Sequence, residues 1–327
     1  MLTFQPCTPE SCAPLRNIGD LVSPHGCDTS IINMCCWQHL YKGHIAQYKG
    51  NIVLRFIHNR QFSYSLRFQP EMLGELLSVV EQDAAEHGDE LCIFGVNEDI
   101  LHYYLDADPT LHASYSEDYS DYVYARNALA TLTGHKLQSK RNFLNRFRRN
   151  YPDYQYKALD ESDMQACLDL DKSWINKGLE LGHTDDEINE RKTIKYVFDH
   201  WLELDATGGT IYVDGQLVAF TYGAPINGNT FDVCVEKADT AFEGAYAVIN
   251  NEFVNHLPPQ YEWINREEDL GLPGLRQAKT TYQPAEKLHK YILVKSQESR
   301  VKSRESRVES QESRVKSRES RVESQES

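Results

Sequence analysis

Three consecutive acids, Glu267, Glu268 and Asp269, are closely followed by two cations, Arg276 and Lys279. This combination suits acyl transfer. An amine or hydroxyl acceptor attacks only once a positioned base takes its proton, and the tetrahedral intermediate then carries an oxyanion that needs a fixed donor or cation. Adjacent carboxylates repel one another, which raises at least one pKa and favours a base or an amine-binding group. Arg276 and Lys279 are spaced to share one face of a short helix. They either hold charge on substrate and intermediate, or pair with Glu267 or Asp269 and hold the loop shut; both readings put them in one cleft. Asp232, Asn265, Arg266 and Tyr282 are taken as substrate or cofactor contacts, with core packing the alternative for the tyrosine. The competing reading of the acidic run is a solvated loop, the usual fate of such runs. No serine or cysteine sits in a nucleophile elbow, so direct transfer is favoured over a covalent enzyme intermediate.

The elements that must position these groups follow from hydrophobic period. Strands are expected at 52–56, 62–66, 91–94 and 121–124, with a helix over 70–87, and Cys35-Cys36-Trp37 reads as part of a core-facing helix. Helices are expected at 137–150, 161–178 and 186–203, the last opened by Asp185-Asp186-Glu187, whose charges favour a helix N-terminus. Strands at 210–213, 217–221 and 231–235 come next, the first two joined by Asp214-Gly215, a type I′ hairpin signal. A helix at 243–256, a strand at 261–265, a short helix at 272–279 and a last strand at 287–294 complete an α/β (α+β) chain. Over residues 206–295 this is the strand order of GNAT acyltransferases, with the acidic run at a strand exit. In that fold the turn at 236–245 receives a carrier pyrophosphate on free N–H groups of the following helix. Gly244 and Ala245 echo it, and a plain turn is the alternative.

The segment from Tyr122 to Pro152 has no acid, although the whole chain carries a formal charge of −15. Lys140 and Arg141 lie on the polar side of the helix at 137–150, placed to meet phosphates or, alternatively, ion-paired across an interface. The net negative charge opposes broad adhesion to nucleic acid or anionic lipid, and no DNA partner is expected. No apolar run approaches the roughly 20 residues that span a bilayer, and no leader pattern opens the chain, so a cytoplasmic location is expected. Eight cysteines without paired spacing read as reduced thiols, and the histidines, His183, His200 and His289 among them, as surface or packing residues; no metal is expected. Residues 297–310 recur identically at 311–324 with one valine per heptad, too thin a seam for a coiled coil, and read as a disordered tail.

Several stretches resemble the C-terminal domain family of phosphatidylglycerol lysyltransferases. They are Lys140-Arg141-Asn142 with Phe147 and Tyr151-Pro152; Gly244-Ala245; and Asn265-Arg266-Glu267-Glu268-Asp269-Leu270-Gly271 with Gly274-Leu275-Arg276, Lys279, Tyr282 and Pro284. The resemblance implies two tandem GNAT-like domains, each a mixed, largely antiparallel sheet flanked by helices. They would occupy 1–130 and 161–295, with a basic linking segment at 131–160 and the tail from 296. It also implies transfer of an aminoacyl or other acyl group to an amine or hydroxyl acceptor. The donor would be an aminoacyl-tRNA or acyl-CoA, and no cofactor would be tightly bound. The acceptor would be a small amine, a lipid or a peptide, and peripheral membrane contact stays open. Two alternatives accompany this reading: an acetyl-CoA-dependent N-acetyltransferase, and a catalytically inactive GNAT-fold binding module.

Overall fold

The computed structural model describes residues 2–58, 60–180 and 185–295, and the side chains of these except 58, 174–180 and 185–187. The repeat tail and His183 lie outside the described residues. Two seven-stranded sheets organise the chain. The first runs β1 (Gln5–Pro6), β2 (His44–Tyr48), β3 (Asn51–His58), β4 (Gln61–Arg67), β5 (Cys92–Val96), then a strand from the far end of the sequence, then β6 (Leu111–Ser114). The second contains β7 (Asp121–Ala125), β8 (Gln155–Ala158), β9 (Thr207–Val213), β10 (Gln216–Pro225), β11 (Thr230–Ala238), β12 (Trp263–Asn265) and β13 (Glu286–Leu288). Its spatial order is β13-β7-β12-β11-β10-β9-β8. The borrowed strand of the first sheet is β14 (Tyr291–Lys295), between β5 and β6.

Helices cover both sheets. In chain order they are α1 (Ile31–Cys36), α2 (Gln38–Tyr41), α3 (Leu73–Glu86), α4 (Glu98–Ala107), α5 (Arg126–Thr131) and α6 (Gln138–Asn150). Beyond these come α7 (Glu161–Glu180), α8 (Asp185–Asp199), α9 (Ala245–His256) and α10 (Pro273–Thr280). Leu73, Leu76, Leu77, Val80 and Ala84 give α3 one apolar face, which packs with Val53, Tyr64 and Leu66 of the first sheet. The alternate residues Ile52 and Leu54 face the other way, into a core shared with α1, α7, α8 and β10. The Asp214-Gly215 turn has positive φ at both residues, 50° and 79°, as a type I′ hairpin requires. Each sheet also contains one parallel pair, β4 with β5 and β11 with β12. The second pair ends at Asp232 opposite Asn265, and beyond that point β11 continues without β12, paired with β10 to Ala238.

Two features depart from the sequence pattern. The single strand expected at 287–294 is two strands in different sheets: Leu288 pairs with Asp121, Tyr291 pairs with Val96, and His289-Lys290 carries the chain across. In return β7, from the first 130 residues, lies inside the second sheet between β12 and β13. The sheets therefore do not divide at residue 130. Period-2 patterning reports which residues are buried and not which sheet receives the strand. Among the described residues no helix is long and apolar enough to cross a membrane.

Leu293 on β14 is fully buried in the first core. Leu293→Ala is expected to cost about 2–5 kcal/mol in urea unfolding. The fluorescence and circular-dichroism transitions should move together, because the exchanged strands make both sheets one cooperative unit.

Candidate functional site

The acidic run leaves β12 through Asn265, which is fully buried. Its Nδ2 donates to Asp121 Oδ2 at 2.8 Å, and its Oδ1 accepts the Glu267 N–H at 2.7 Å. Glu267 then takes a left-handed conformation, φ 57°. The three acids consequently meet three different environments rather than one solvated surface.

Glu267 turns toward α1 and β11. Asn33 Nδ2 donates to Glu267 Oε1 at 2.9 Å and to Asp232 Oδ2 at 3.2 Å, while Ser30 Oγ reaches the same Asp232 oxygen at 3.2 Å. Asp232 is fully buried, and its other oxygen, Oδ1, has no hydrogen-bond partner. Gly223 of β10 permits this arrangement: a Cβ there would lie 1.7 Å from the Asp232 carbonyl oxygen. Burial, reinforced by the charge of Asp121, pushes the Asp232 carboxyl well above the carboxylate range. Burial, then the charges of Asp232 and Glu268, does the same to Glu267. The Cys234 thiol beside them is also pushed up, by burial and then by Asp232 and Glu267.

Glu268 turns to the opposite side, where Lys290 is buried on the crossing between β13 and β14. Lys290 Nζ lies 2.6 Å from Asp28 Oδ2, 2.8 Å from Asp121 Oδ1 and 3.1 Å from Glu268 Oε2. Cys27 Sγ lies 3.2 Å from both Asp121 Oδ1 and Glu268 Oε2, and the Cys27 N–H donates to Asp121 Oδ2 at 2.7 Å. Burial opposes the Lys290 charge, but the charges of Asp121 and Asp28 hold its pKa well above the ordinary lysine value. Asp121 is displaced downward: burial opposes its charge, and Lys290 outweighs that.

Asp269 closes the loop. It accepts Arg276 Nε and Nη2, both at 2.9 Å, the Tyr122 hydroxyl at 2.5 Å and the Gly271 N–H at 2.8 Å. Burial raises its pKa, but the Arg276 and Tyr122 bonds prevail and bring it down to about 2. Arg276 also pairs with Asp118. The bidentate pair occupies both groups, so this cation and this acid hold structure together and do not face an open cleft. Lys279 parts from Arg276. Its Nζ donates to the carbonyl oxygens of Arg266, at 2.6 Å, and Glu268, beneath the acids, where burial lowers its pKa against the charges of Glu267 and Glu268.

The remaining expected contacts lie around the divergence of β11 and β12. Arg266 Nη2 meets Glu236 Oε1 at 3.0 Å across that gap, both side chains 11% exposed. Tyr282 is buried against this pair, with the Arg266 guanidinium 4.9 Å and Lys140 Nζ 4.3 Å from its ring centre. Arg141 folds back onto its own loop, donating to the carbonyl oxygens of Leu132 and, at 2.9 Å, Gly134. At Gly244, φ 94°, a Cβ would lie 2.6 Å from the Phe143 carbonyl oxygen, so the turn is fitted tightly against α6, and Ala245 is buried behind it. Asp232, Asn265, Arg266, Glu267, Glu268, Asp269 and Lys279 are thus brought together, whereas Arg141 contacts its own loop and the Gly244-Ala245 turn lies against α6. Cys27, Asp28, Ser30, Asn33, Asp121 and Lys290 were missing from the sequence reading. For Lys290 a signal existed: it shares strand parity with buried Leu288. A cavity of about 580 Å³ lies apart from all of these residues, lined by Asn17, Asp20, Gln47, Asn51, Gln69 and Glu71 among others.

Comparison with known proteins adds the following. A family model described as phosphatidylglycerol lysyltransferase, C-terminal, matches residues 20–294. A crystal structure of a conserved protein of unknown function from Bacteroides thetaiotaomicron is 38% identical. It covers 90% of this chain and all of its own, with a TM-score of 0.85. The structure of L-PGS from Bacillus licheniformis covers 90% of this chain and 94% of its own at 11% identity, TM-score 0.63. The C-terminal domain of a putative lysylphosphatidylglycerol synthetase from Agrobacterium fabrum covers 80% of this chain and 86% of its own at 16% identity, TM-score 0.57. An uncharacterised protein of Mycoplasmoides gallisepticum is 25% identical over 179 residues, which span 54% of this chain and 56% of that protein. The fold is accordingly GNAT-like, with two mixed seven-stranded sheets that exchange strands at their junction.

Two stability measurements examine the geometry. Lys290→Met leaves Asp28 and Asp121 buried without their cation and should cost about 3–5 kcal/mol in urea unfolding at neutral pH. Asp269 behaves oppositely to a raised group: its folded pKa is depressed to about 2, so its contribution is complete above the unfolded carboxylate range and lost as pH falls toward 2. Asp269→Asn should cost about 1.5–3 kcal/mol at pH 7 and flatten the acid limb of stability against pH.

Proposed function

Since the chain belongs to the phosphatidylglycerol lysyltransferase C-terminal family, and so carries an acyltransferase-like domain, we propose that it transfers an aminoacyl or related acyl group to an amine or hydroxyl acceptor at the exit of β12. One observation carries this reading: Glu268 and Lys279 converge at a strand exit where the carboxyls of Asp28, Asp121 and Glu268 outnumber the ammoniums of Lys279 and Lys290. Such a site receives a positively charged amine, which releases one proton to solvent to become the neutral nucleophile and gives a second to the base as the new bond forms. Glu268, 19% exposed and held by Lys290, is the base that takes the acceptor proton. Lys279 spends two of its three N–H donors on the Arg266 and Glu268 carbonyls, and the third meets the oxyanion of the tetrahedral intermediate. Attack forms the new C–N or C–O bond. Collapse then breaks the bond to the carrier, which leaves with the proton held by Glu268.

An aminoacyl-tRNA donor is favoured over acyl-CoA by the divergence of β11 and β12. The Arg266–Glu236 pair occupies that gap, and Gly244 holds the neighbouring turn against α6. A coenzyme arm would have to displace both. A cytoplasmic location and a lipid, peptide or small-amine acceptor belong to this proposal.

The assay offers purified protein labelled aminoacyl-tRNA and labelled acyl-CoA side by side, with phosphatidylglycerol vesicles and free amines as acceptors. Label should move from aminoacyl-tRNA. Glu268→Gln should lower the rate about 10²–10⁴-fold and Lys279→Met about 10²–10³-fold, each measured at a temperature where circular dichroism shows the variant still folded. Transfer from acyl-CoA alone would make the protein an N-acetyltransferase-type enzyme. Binding of either donor without turnover would make it a binding module.

A further inference from the structure

Glu268 and Glu267 stand beside two clusters of metal-ligating side chains, and the clusters differ in what neutralises them. Cys27, Asp28 and Glu268 surround the Lys290 ammonium, so that site already holds its cation. The ligand atoms of Asp232, Cys234 and Glu267 also lie within 4.8 Å of one another, and although the Lys279 charge reaches Glu267, the short contacts of each neighbouring cation go elsewhere. Lys279 serves the carbonyls of Arg266 and Glu268, Lys290 serves Asp28, Asp121 and Glu268, and Arg266 serves Glu236. What hydrogen-bonds to the second cluster is neutral: the Ser30 hydroxyl and the Asn33 amide, both on the same Asp232 oxygen or on Glu267. Asp232 Oδ1, on a fully buried side chain, has no partner. A buried carboxyl oxygen left without a hydrogen-bond partner carries a desolvation cost that a ligand there would relieve.

We propose that Asp232, Cys234 and Glu267 bind one divalent metal ion of zinc type. Asp232 and Cys234 are two apart on β11 and so project to one face, and Glu267 approaches from its left-handed turn. A thiolate at about 2.3 Å and carboxylate oxygens at about 2.0–2.2 Å from zinc place ligand atoms roughly 3–4 Å apart, which needs only a small contraction of this cluster. The thiol selects the ion. Magnesium and calcium require all-oxygen shells, and an ammonium would leave the sulfur unused. Three protein ligands leave a fourth position for water or substrate, and the buried Cys36 thiol, not in a disulfide and directed at Asn33, borders the group on α1. Binding forms one metal–sulfur and two metal–oxygen bonds and releases the thiol proton, with any carboxyl proton, to water. Sequence spacing could not reveal the site, because its third ligand comes from a distant loop. The inference is independent of the transfer reading, since metal uptake is measured without turnover.

The test loads the full chain with Zn²⁺, dialyses it and counts bound metal, then repeats with Co²⁺ and records the thiolate-to-cobalt absorption. One equivalent is expected. Cys234→Ser should remove the thiolate band, and the near-isosteric Asp232→Asn should weaken binding by more than about tenfold, the lower bound even for outer-shell changes at metal sites. Cys35→Ser is the control, because Cys7, Cys12 and Cys35 form a separate buried thiol group, and it should leave the band intact. A wild-type chain that retains no zinc overturns the proposal whatever the variants do. So does a cobalt band that follows Cys35, or one that survives Cys234→Ser in a folded protein.

Discussion

A lysine ammonium that has left water must meet carboxylates or lose its proton, and Lys290 meets three, from Asp28, Asp121 and Glu268. Each arrives from a different part of the chain: the approach to α1, the start of β7 and the acidic loop after β12. Lys290 itself stands on the two-residue crossing between the sheets. One charge therefore fixes the register of β7 against β13, the entry of β14 into the first sheet and the direction of Glu268. Hydrophobic burial holds the cores on either side but does not discriminate among these alternatives, because it has no direction. A buried ion cluster does, since misalignment by one residue strands a charge.

The chemistry follows from the same constraint. With Lys290 committed to Asp28 and Asp121, and Asp269 committed to Arg276 and Tyr122, the acidic run is divided among separate tasks. Asp269 fastens the loop, Glu268 stands beside a cation at the strand exit, and Glu267 joins Asp232 and Cys234 in a cluster without a cation of its own. The left-handed residue at Glu267 is the local device that separates them. Low polarity around the groups strengthens every one of these interactions and displaces their proton affinities in opposite directions, down for Asp269 and Asp121, up for Glu267 and Asp232.

Much of this was legible in sequence. Alternation and turn chemistry located β9 to β11, the Asp214-Gly215 hairpin, α6, α9 and α10, because each pattern depends on neighbouring residues alone. The run Asn265 to Asp269 stood out by composition. The pairing of Asp269 with Arg276 was one of two readings open for that cation, and geometry chose between them. What stayed hidden was non-local. No periodicity states that residues 286–288 and 291–295 enter different sheets, or that the stretch from Cys27 to Asn33 packs under a loop near residue 267. The basic stretch 122–152 left phosphate binding and ion pairing both open for Lys140 and Arg141. Yet Arg126 caps the carbonyls ending α9, Arg141 caps its own loop, and Arg146 and Arg148 pair with Glu243 and Glu252. Only Lys140 reaches the Tyr282 ring at the site.

The most direct measurement is nitrogen-15 NMR of the Lys290 side chain in the folded protein, assigned by its loss in Lys290→Arg. A lysine enclosed by Asp28, Asp121 and Glu268 should give an ammonium signal protected from water exchange at neutral pH. It should stay charged past the pH of about 10.4 at which ordinary lysines titrate. A rapidly exchanging signal, or one that titrates with the surface lysines, would show that the charge is solvated and that the crossing does not organise the site.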